Sequence, residues 1–101
     1  MPHLTSRVVT PKASRYLAQL CKHFAHKVEA TWDEAGGDVD FGFGRLRLAA
    51  ADDALTMDAR ADTAEGLARV EWVVTDHLAR FAWREKPVIQ WTPGAEPAGT
   101  D

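Results

Sequence analysis

The segment that decides the fold is residues 28–61, VEATWDEAGGDVDFGFGRLRLAAADDALTMDARA. At its start, apolar and polar residues alternate from Val28 to Asp33, which is the period-two pattern of a half-buried strand. Gly36-Gly37 then predicts a hairpin turn. The segment therefore predicts antiparallel strands joined by short connections.

The apolar positions of this segment change parity at Gly42-Phe43-Gly44, and this change predicts either a bulge or a tight turn. A second turn is expected at Asp52-Asp53. The apolar positions on either side of that second turn alternate strictly, and they are Leu46, Leu48 and Ala50, then Leu55, Met57, Ala59 and Ala61. Both stretches are therefore predicted to be strands with one buried face.

An amphipathic helix is predicted on each side of the strands. Apolar residues recur at helical spacing over residues 11–27, with Thr10 expected as the N-cap and Pro11 at the first helical position. The second helix is expected to begin at a capping-box sequence with Asp62 as its cap and to extend to about Glu85.

Two further strands are predicted at the ends of the chain, over Thr5–Thr10 and Val88–Thr92. The order β-α-β-β-β-α-β then predicts an α+β two-layer sandwich, in which two helices cover one face of an antiparallel sheet. Residues 1–92 are expected to form one domain, and the tail 93–101 to be disordered because it contains no core-forming residue. The uncovered face of the sheet would display Glu29, Thr31, Asp33, Asp38, Asp40, Arg45, Arg47, Thr56, Asp58 and Arg60.

The composition is that of one small globular domain, with 101 residues of which 46% are hydrophobic. No apolar run approaches the roughly 20 residues of a membrane span, so no membrane association is expected. The chain opens without a secretory signal, and Cys21, its one cysteine, cannot form an internal disulfide. These features predict a cytoplasmic protein.

Charge is distributed unevenly along the chain. Residues 1–27 carry five basic residues and no acidic one, whereas residues 28–65 carry ten acidic and three basic residues. The two segments either neutralise each other in the fold or recognise a charged partner. The net charge of −3 and a sheet face without stacking aromatics argue against nucleic acid as that partner.

Histidines on the two predicted helices are the candidate ligand-binding groups. His23 and His26 lie about 60° apart on the first helix and could converge on one metal ion, with His77 as a further ligand if the helices pack side by side. Alternatively, these imidazoles bind an anion or are solvated residues of a polar face.

Each predicted helix also carries a basic stripe that could frame a cleft for an anionic ligand or an acidic partner. The stripe of the first helix contains Lys12, Arg15, Gln19, Lys22, His23 and His26. On the second helix, His77, Arg80 and Arg84 recur at i, i+3 and i+7. The alternative is that both stripes are the solvated faces of amphipathic helices.

Trp72 and Trp83 point away from the apolar stripe of the second helix. Exposed tryptophans of this kind indicate a homodimer contact, unless a loop or the tail covers them. Catalysis has little support because neither serine lies in a Gly-x-Ser-x-Gly sequence. An enzyme using His26 or His77 as general base is therefore the least favoured function.

Four blocks of the sequence, from about Ser6 to Trp91, resemble the bacterial domain of unknown function 2218. They are Ala13–Lys27 (ASRYLAQLCKHFAHK), Asp40–Gly44 (DFGFG), Asp53–Leu55 (DAL) and Asp76–Glu85 (DHLARFAWRE). The positions that look typical of this family are Cys21, Lys22, His23, His26, His77, Arg80 and Arg84, whereas Phe43 and Trp72 depart from it. The resemblance implies an accessory role in siderophore-linked iron metabolism, with a flavin reductase as the partner enzyme.

The residues and the resemblance together predict a small cytoplasmic binding module for an anionic ligand or an iron chelate. The expected ligand-binding residues are Lys22, His23, His26, His77, Arg80 and Arg84. A metal ion held by His23 and His26 is a further possibility, and the need for any cofactor is open. The alternative is an interaction or homodimerisation module that uses Trp72 and Trp83.

Overall fold

The alternating segments form the centre of a six-stranded antiparallel sheet in the computed structural model, which describes residues 2–93. The elements are β1 (His3–Val9), α1 (Ala13–Phe24), β2 (Glu29–Trp32), β3 (Gly36–Asp40), β4 (Arg45–Ala50), β5 (Ala54–Arg60), α2 (Ala64–Phe81) and β6 (Thr92–Pro93). The strands lie in the order β2-β3-β4-β5-β1-β6, and every neighbouring pair is antiparallel.

Both helices pack on the same face of this sheet, so the predicted α+β sandwich is confirmed. The order of helices and strands agrees as well, with the stretch around Gly42 divided into two strands by a turn. The strand predicted at Val88–Thr92 is confined to Thr92–Pro93, which pairs with the outer edge of β1. The rest of the predicted tail, residues 94–101, lies outside the described residues.

The core lies between the helices and the sheet and follows the periodicity of the sequence. Its largest fully buried side chains are Leu17 and Leu20 of α1, Val70, Val74 and Leu78 of α2, and Val8, Val39, Leu46, Leu48, Leu55 and Met57 of the strands. Burying one such aliphatic side chain stabilises the fold by about 1.5–3 kcal/mol. Charged residues of the strands occupy the opposite, uncovered face, as predicted.

The turn between β2 and β3 is not formed by Gly36-Gly37, which the sequence indicated. It lies just before them, where the Oδ1 atom of Asp33 accepts hydrogen bonds from the N–H groups of Ala35 and Gly36, each at 2.9 Å. The bonds from Gly36 and Ala35 hold the pKa of the Asp33 carboxyl below its usual value. An aspartate thus takes the turn-forming role that the prediction assigned to glycine.

Gly37 lies inside β3, where the lack of a side chain allows α1 to approach the strand closely. A Cβ atom at this position would lie 2.8 Å from the Sγ atom of Cys21 and 3.1 Å from the Cβ atom of Trp32. Any larger residue would therefore push α1 away from β3.

The parity change at residues 42–44 is a tight turn between β3 and β4. The N–H of Phe41 donates to the carbonyl of Gly44 at 2.8 Å, and the N–H of Gly42 donates to Oδ1 of Asp40 at 2.9 Å. Gly42 has φ +88°, a conformation that favours glycine.

Helix α1 is shorter than the predicted range 11–27, and Thr10 is not its cap. The Oγ1 atom of Thr10 accepts a bond from the N–H of Lys12 at 3.1 Å and donates to Oε1 of Glu85 at 2.8 Å. Thr10 therefore forms a turn ahead of the helix, and Lys12 is the N-cap residue. The side chain of Thr10 is used for a contact with a distant part of the chain.

Both ends of α2 differ from the prediction. Its N-cap is Thr63, whose Oγ1 accepts a bond from the N–H of Gly66 at 3.0 Å, and not Asp62. The helix ends at Phe81 and not near Glu85. Residues 82–86 form a separate turn.

Glu85 connects this turn to the start of α1. Besides the bond from Thr10, its carboxylate lies 3.8 Å from Nζ of Lys12. Burial and this neighbouring carboxylate raise the pKa of Tyr16. The contacts hold the residues that follow α2 against the beginning of α1, so the two helices run in opposite directions across the sheet.

Replacement of Gly37 by Ala tests the close approach of α1 to β3. We expect Gly37→Ala to lower the free energy of unfolding by about 1–3 kcal/mol, since an added methyl group overpacks this site. Chemical denaturation measures the loss. In the double variant Cys21→Ala/Gly37→Ala, the loss of unfolding free energy should be smaller than the sum of the losses in the two single variants, because the main clash is removed. Additive losses would contradict this account.

Gly36→Ala is the matched control on the same strand. Its added Cβ would have the carbonyl oxygen of Leu48 as nearest neighbour, at 3.3 Å. The contact is less severe than the one at Gly37, so we expect a smaller loss of stability.

Candidate functional site

The C-terminal turn of α1 brings His23 against His77 of α2. Their ring centroids lie 4.6 Å apart, and the rings are tilted by 45°. The contact exists because both helices cover the same sheet face side by side. Side-by-side packing is the condition under which the sequence predicted that His77 would lie at the same site as His23. We call these two residues the histidine pair.

Aromatic side chains surround the histidine pair. The ring of Phe24 lies 5.7 Å from His23 and 5.3 Å from His77 between centroids, and Phe81 lies 5.8 Å from His23. Phe24 is buried and Phe81 half-buried. The imidazoles therefore have apolar contacts on one side.

A backbone hydrogen bond orients the ring of His77. Its Nδ1 atom lies 2.7 Å from the carbonyl oxygen of Val73, one turn earlier in α2. A carbonyl oxygen can only accept, so Nδ1 carries the proton. In the neutral ring, Nε2 is then the atom available to accept a hydrogen bond or to bind a metal.

Burial lowers the pKa of His23, and nearby positive groups lower it further. In decreasing order of effect these groups are His77, His26, Lys27 and Arg80. The His23 imidazole is therefore kept neutral to lower pH than a free histidine. The same groups supply positive charge to any anion that approaches the pair.

The structure brings together some of the predicted ligand-binding residues and separates others. His26 follows α1 in the turn of residues 25–27, and Arg80 lies on α2 near the histidine pair, with its Nη2 atom 3.2 Å from Oδ2 of Asp76. Lys22 is exposed on α1. Lys27, which the prediction omitted, belongs to the positive groups around His23.

Arg84 does not continue the basic stripe of α2. The i, i+3, i+7 spacing from His77 assumed a helix that reaches Glu85, whereas α2 ends at Phe81. The guanidinium of Arg84 instead lies 5.1 Å from the ring centroid of Trp83. Beyond Phe81 the chain forms a turn, in which Glu85 accepts a hydrogen bond from Thr10, a contact that local periodicity does not reveal.

A metal ion held by His23 and His26 stays a prediction. Within residues 2–93, no group of three or more His, Cys, Asp or Glu side chains is placed to hold a metal ion. The set of His23, His26 and His77 is thus not assembled. The ring in contact with His23 is that of His77, which the prediction named as a further ligand beside His23 and His26.

The aromatic surroundings extend from the histidine pair to the turn between β3 and β4. Phe41 lies 5.0 Å from Phe24 and stacks on Phe43 at 5.5 Å, between centroids. The guanidinium carbon of Arg69 lies 3.9 Å from the centroid of Phe43. Arg69 is not among the predicted site residues, although the DFGFG sequence of the turn was a signal for this aromatic region.

Cys21 is fully buried in the core beneath α1. Burial, followed by the charge of Asp38, raises the pKa of its thiol to about 11. A protonated, inaccessible thiol neither attacks a substrate nor binds a metal. The cysteine is therefore a packing residue of the core.

Both tryptophans singled out in the sequence are exposed, Trp72 by 67% and Trp83 by 62%. Trp72 lies on α2, whereas Trp83 lies in the turn after it. Trp91 differs from them: it is half-buried, and its Nε1–H donates to Oγ1 of Thr75 at 2.8 Å. The part of the chain that the structure describes contains no helix with the length and apolar character needed to cross a membrane.

A titration of the imidazoles tests the environment of His23. We expect its protonation midpoint, followed by NMR, to lie below 6.5, and the variant His77→Gln to move it upward by removing a positive neighbour. Since the unfolded chain binds this proton more readily, the free energy of unfolding should fall as the pH falls below about 6.5. A midpoint at or above 6.5 would contradict the described contacts.

Comparison with known proteins places these features in a family. The model of DUF2218, described as an uncharacterized protein conserved in bacteria, matches residues 5–92. The fold is similar to the NMR structure of PA4090 from Pseudomonas aeruginosa, with a TM-score of 0.79 and 38% sequence identity, over 95% of this chain and 100% of that one. Comparison with curated proteins found no match. The resemblance noted in the sequence is thus confirmed, and the chain belongs to the DUF2218 family.

Proposed function

We propose that this protein is a small binding module that takes up an anionic ligand at the histidine pair. The observation that carries the proposal is the 4.6 Å contact between His23 and His77, with Nδ1 of His77 bound to a backbone carbonyl. A ring held in this way presents Nε2 in a defined direction, which lowers the entropic cost of binding.

The charges around the pair favour an anion. His26, Lys27 and Arg80 act on His23 as positive neighbours, and Lys22 lies on the exposed side of the same helix. In the free protein these charges disfavour protonation of His23. A bound anion would instead favour protonation of His23. Binding is therefore accompanied by proton uptake, and it strengthens as the pH falls.

The ligand class best suited to this surface is an iron chelate with aromatic groups. Two imidazoles are too few for a bare structural metal ion, which takes four protein ligands. A chelate brings its own donor atoms and negative charge. Its flat rings would have Phe24, Phe81 and the two imidazoles as neighbours. With such a ligand the module would serve siderophore-linked iron metabolism in the cytoplasm, and a flavin reductase would be its enzyme partner.

An NMR titration of the labelled protein with a ferric catecholate tests the proposal. We expect saturable shifts at His23, His77 and Arg80. The affinity of His23→Gln for the ferric catecholate should be lower by about tenfold or more, because a hydrogen bond to a charged group is lost. Binding should be tighter at pH 6 than at pH 8, since these values lie on either side of the ordinary histidine pKa of about 6.5.

His3→Gln is the matched control for this titration. His3 lies on the uncovered face of the sheet, where Nε2 is 3.0 Å from Oδ1 of Asp58, so its replacement should leave binding unchanged. The iron-free chelator and zinc alone distinguish an anion site from a metal site. Shifts scattered over the surface, or equal affinities in His23→Gln and the parent protein, would refute the proposal.

The exposure of Trp72 and Trp83 supports a second candidate function, homodimerisation. Large exposed aromatic side chains are enriched at protein interfaces. For this alternative we expect the sedimentation coefficient to rise with protein concentration, and the variant Trp72→Ala/Trp83→Ala to remain monomeric over the same range. A parent protein that is monomeric throughout would eliminate it.

A further inference from the structure

The uncovered face of the sheet gathers three arginines around one cavity. Arg45, Arg47 and Arg60 are the only basic residues of the acidic segment 28–65. They nevertheless line the same cavity of about 320 Å³, whose other lining residues are Asp38, Leu46 and Asp58. This volume lies at the lower end of the range found for small-molecule sites.

The strand register places two of these arginines directly opposite each other. Arg45 of β4 is the partner of Arg60 of β5. Side chains at such positions have Cβ atoms about 4.5–5.5 Å apart, and like charges there destabilise a sheet. Folding alone does not favour this arrangement, whereas an anion between the two guanidinium groups would.

Nearby carboxylates do not pair with these arginines. Among the ion pairs of residues 2–93, none within 4.0 Å involves Arg45, Arg47 or Arg60. Asp58 is opposite Arg47, but its Oδ1 contacts His3 at 3.0 Å.

Two carboxylates of β3 also lie opposite an arginine, Asp38 opposite Arg47 and Asp40 opposite Arg45. The Oδ1 atom of Asp40 accepts a hydrogen bond from the N–H of Gly42 at 2.9 Å. Asp40 and Asp58 thus each have another partner, and the opposed guanidinium groups of Arg45 and Arg60 keep N–H donors for a ligand.

We propose that this cavity binds a small phosphate monoester that carries hydroxyl groups. The opposed guanidinium groups of Arg45 and Arg60 provide forked N–H donors for phosphoryl oxygens, and Arg47 adds positive charge. Asp38, at the rim of the same cavity, accepts hydrogen bonds from hydroxyl groups. A carboxylate next to the arginines selects such a ligand over a bare anion, which it would repel.

This site is independent of the proposed function at the histidine pair. The two surfaces lie on opposite sides of the sheet, because the helices cover one face and the arginines project from the other. An NMR titration therefore separates them by the residues whose signals move.

The test is a titration of the isotope-labelled full chain with glycerol 3-phosphate, with inorganic phosphate and glycerol as further probes. We expect saturable shifts at the amides and guanidinium groups of Arg45, Arg47 and Arg60, with glycerol 3-phosphate bound more tightly than phosphate. Glycerol alone should produce no shifts. The affinity should fall about tenfold or more in Arg45→Gln and in Arg60→Gln, since each loses charge-assisted hydrogen bonds.

Arg7→Gln is the matched control, because Arg7 lies on the same sheet face, opposite Thr56, and does not line this cavity. Its affinity for glycerol 3-phosphate should equal that of the parent.

Thermal unfolding adds a test that does not depend on the ligand: Arg60→Gln should melt at the same or a higher temperature, since it removes a repulsion. No saturable shift at millimolar ligand, equal affinity in Arg45→Gln, or a lower melting temperature for Arg60→Gln would overturn the proposal.

Discussion

The close contact between α1 and β3 is the constraint on which the other features depend. It requires the absence of a side chain at Gly37, since a Cβ there would lie 2.8 Å from Sγ of Cys21. With α1 seated directly on the sheet, its apolar stripe is buried and its last turn reaches α2. The contact between His23 and His77 is a consequence of this seating.

A second connection, between the start of α1 and the residues after α2, sets the relative placement of the helices. Glu85 receives the hydrogen bond of Thr10 and lies beside Lys12. Helix α2 ends at Phe81, earlier than its apolar periodicity suggests, so Trp83 and Arg84 lie in the turn that carries Glu85. Two chain segments far apart in sequence thus determine which side chains belong to the candidate site.

The uneven distribution of charge in the sequence is only partly resolved by folding. An ion pair between Arg7 and Asp53 and a hydrogen bond between His3 and Asp58 join the basic first segment to the acidic second one. The two faces of the molecule keep different chemistry. One presents two imidazoles in aromatic surroundings with cations around them, and the other presents arginines among carboxylates. Both arrangements are suited to anions, at separate positions.

The sequence by itself determined the strands, both helices, the core and the candidate histidines, because periodicity over a few residues reports which side of an element is buried. It also pointed to both residues of the histidine pair, whose contact required the helices to pack side by side. The tertiary structure decided what depends on distant partners. The contact of Glu85 with Thr10 and the opposition of Arg45 to Arg60 in β4 and β5 both join residues of separate elements. Such contacts form only when separate elements meet, so no short window of sequence contains them.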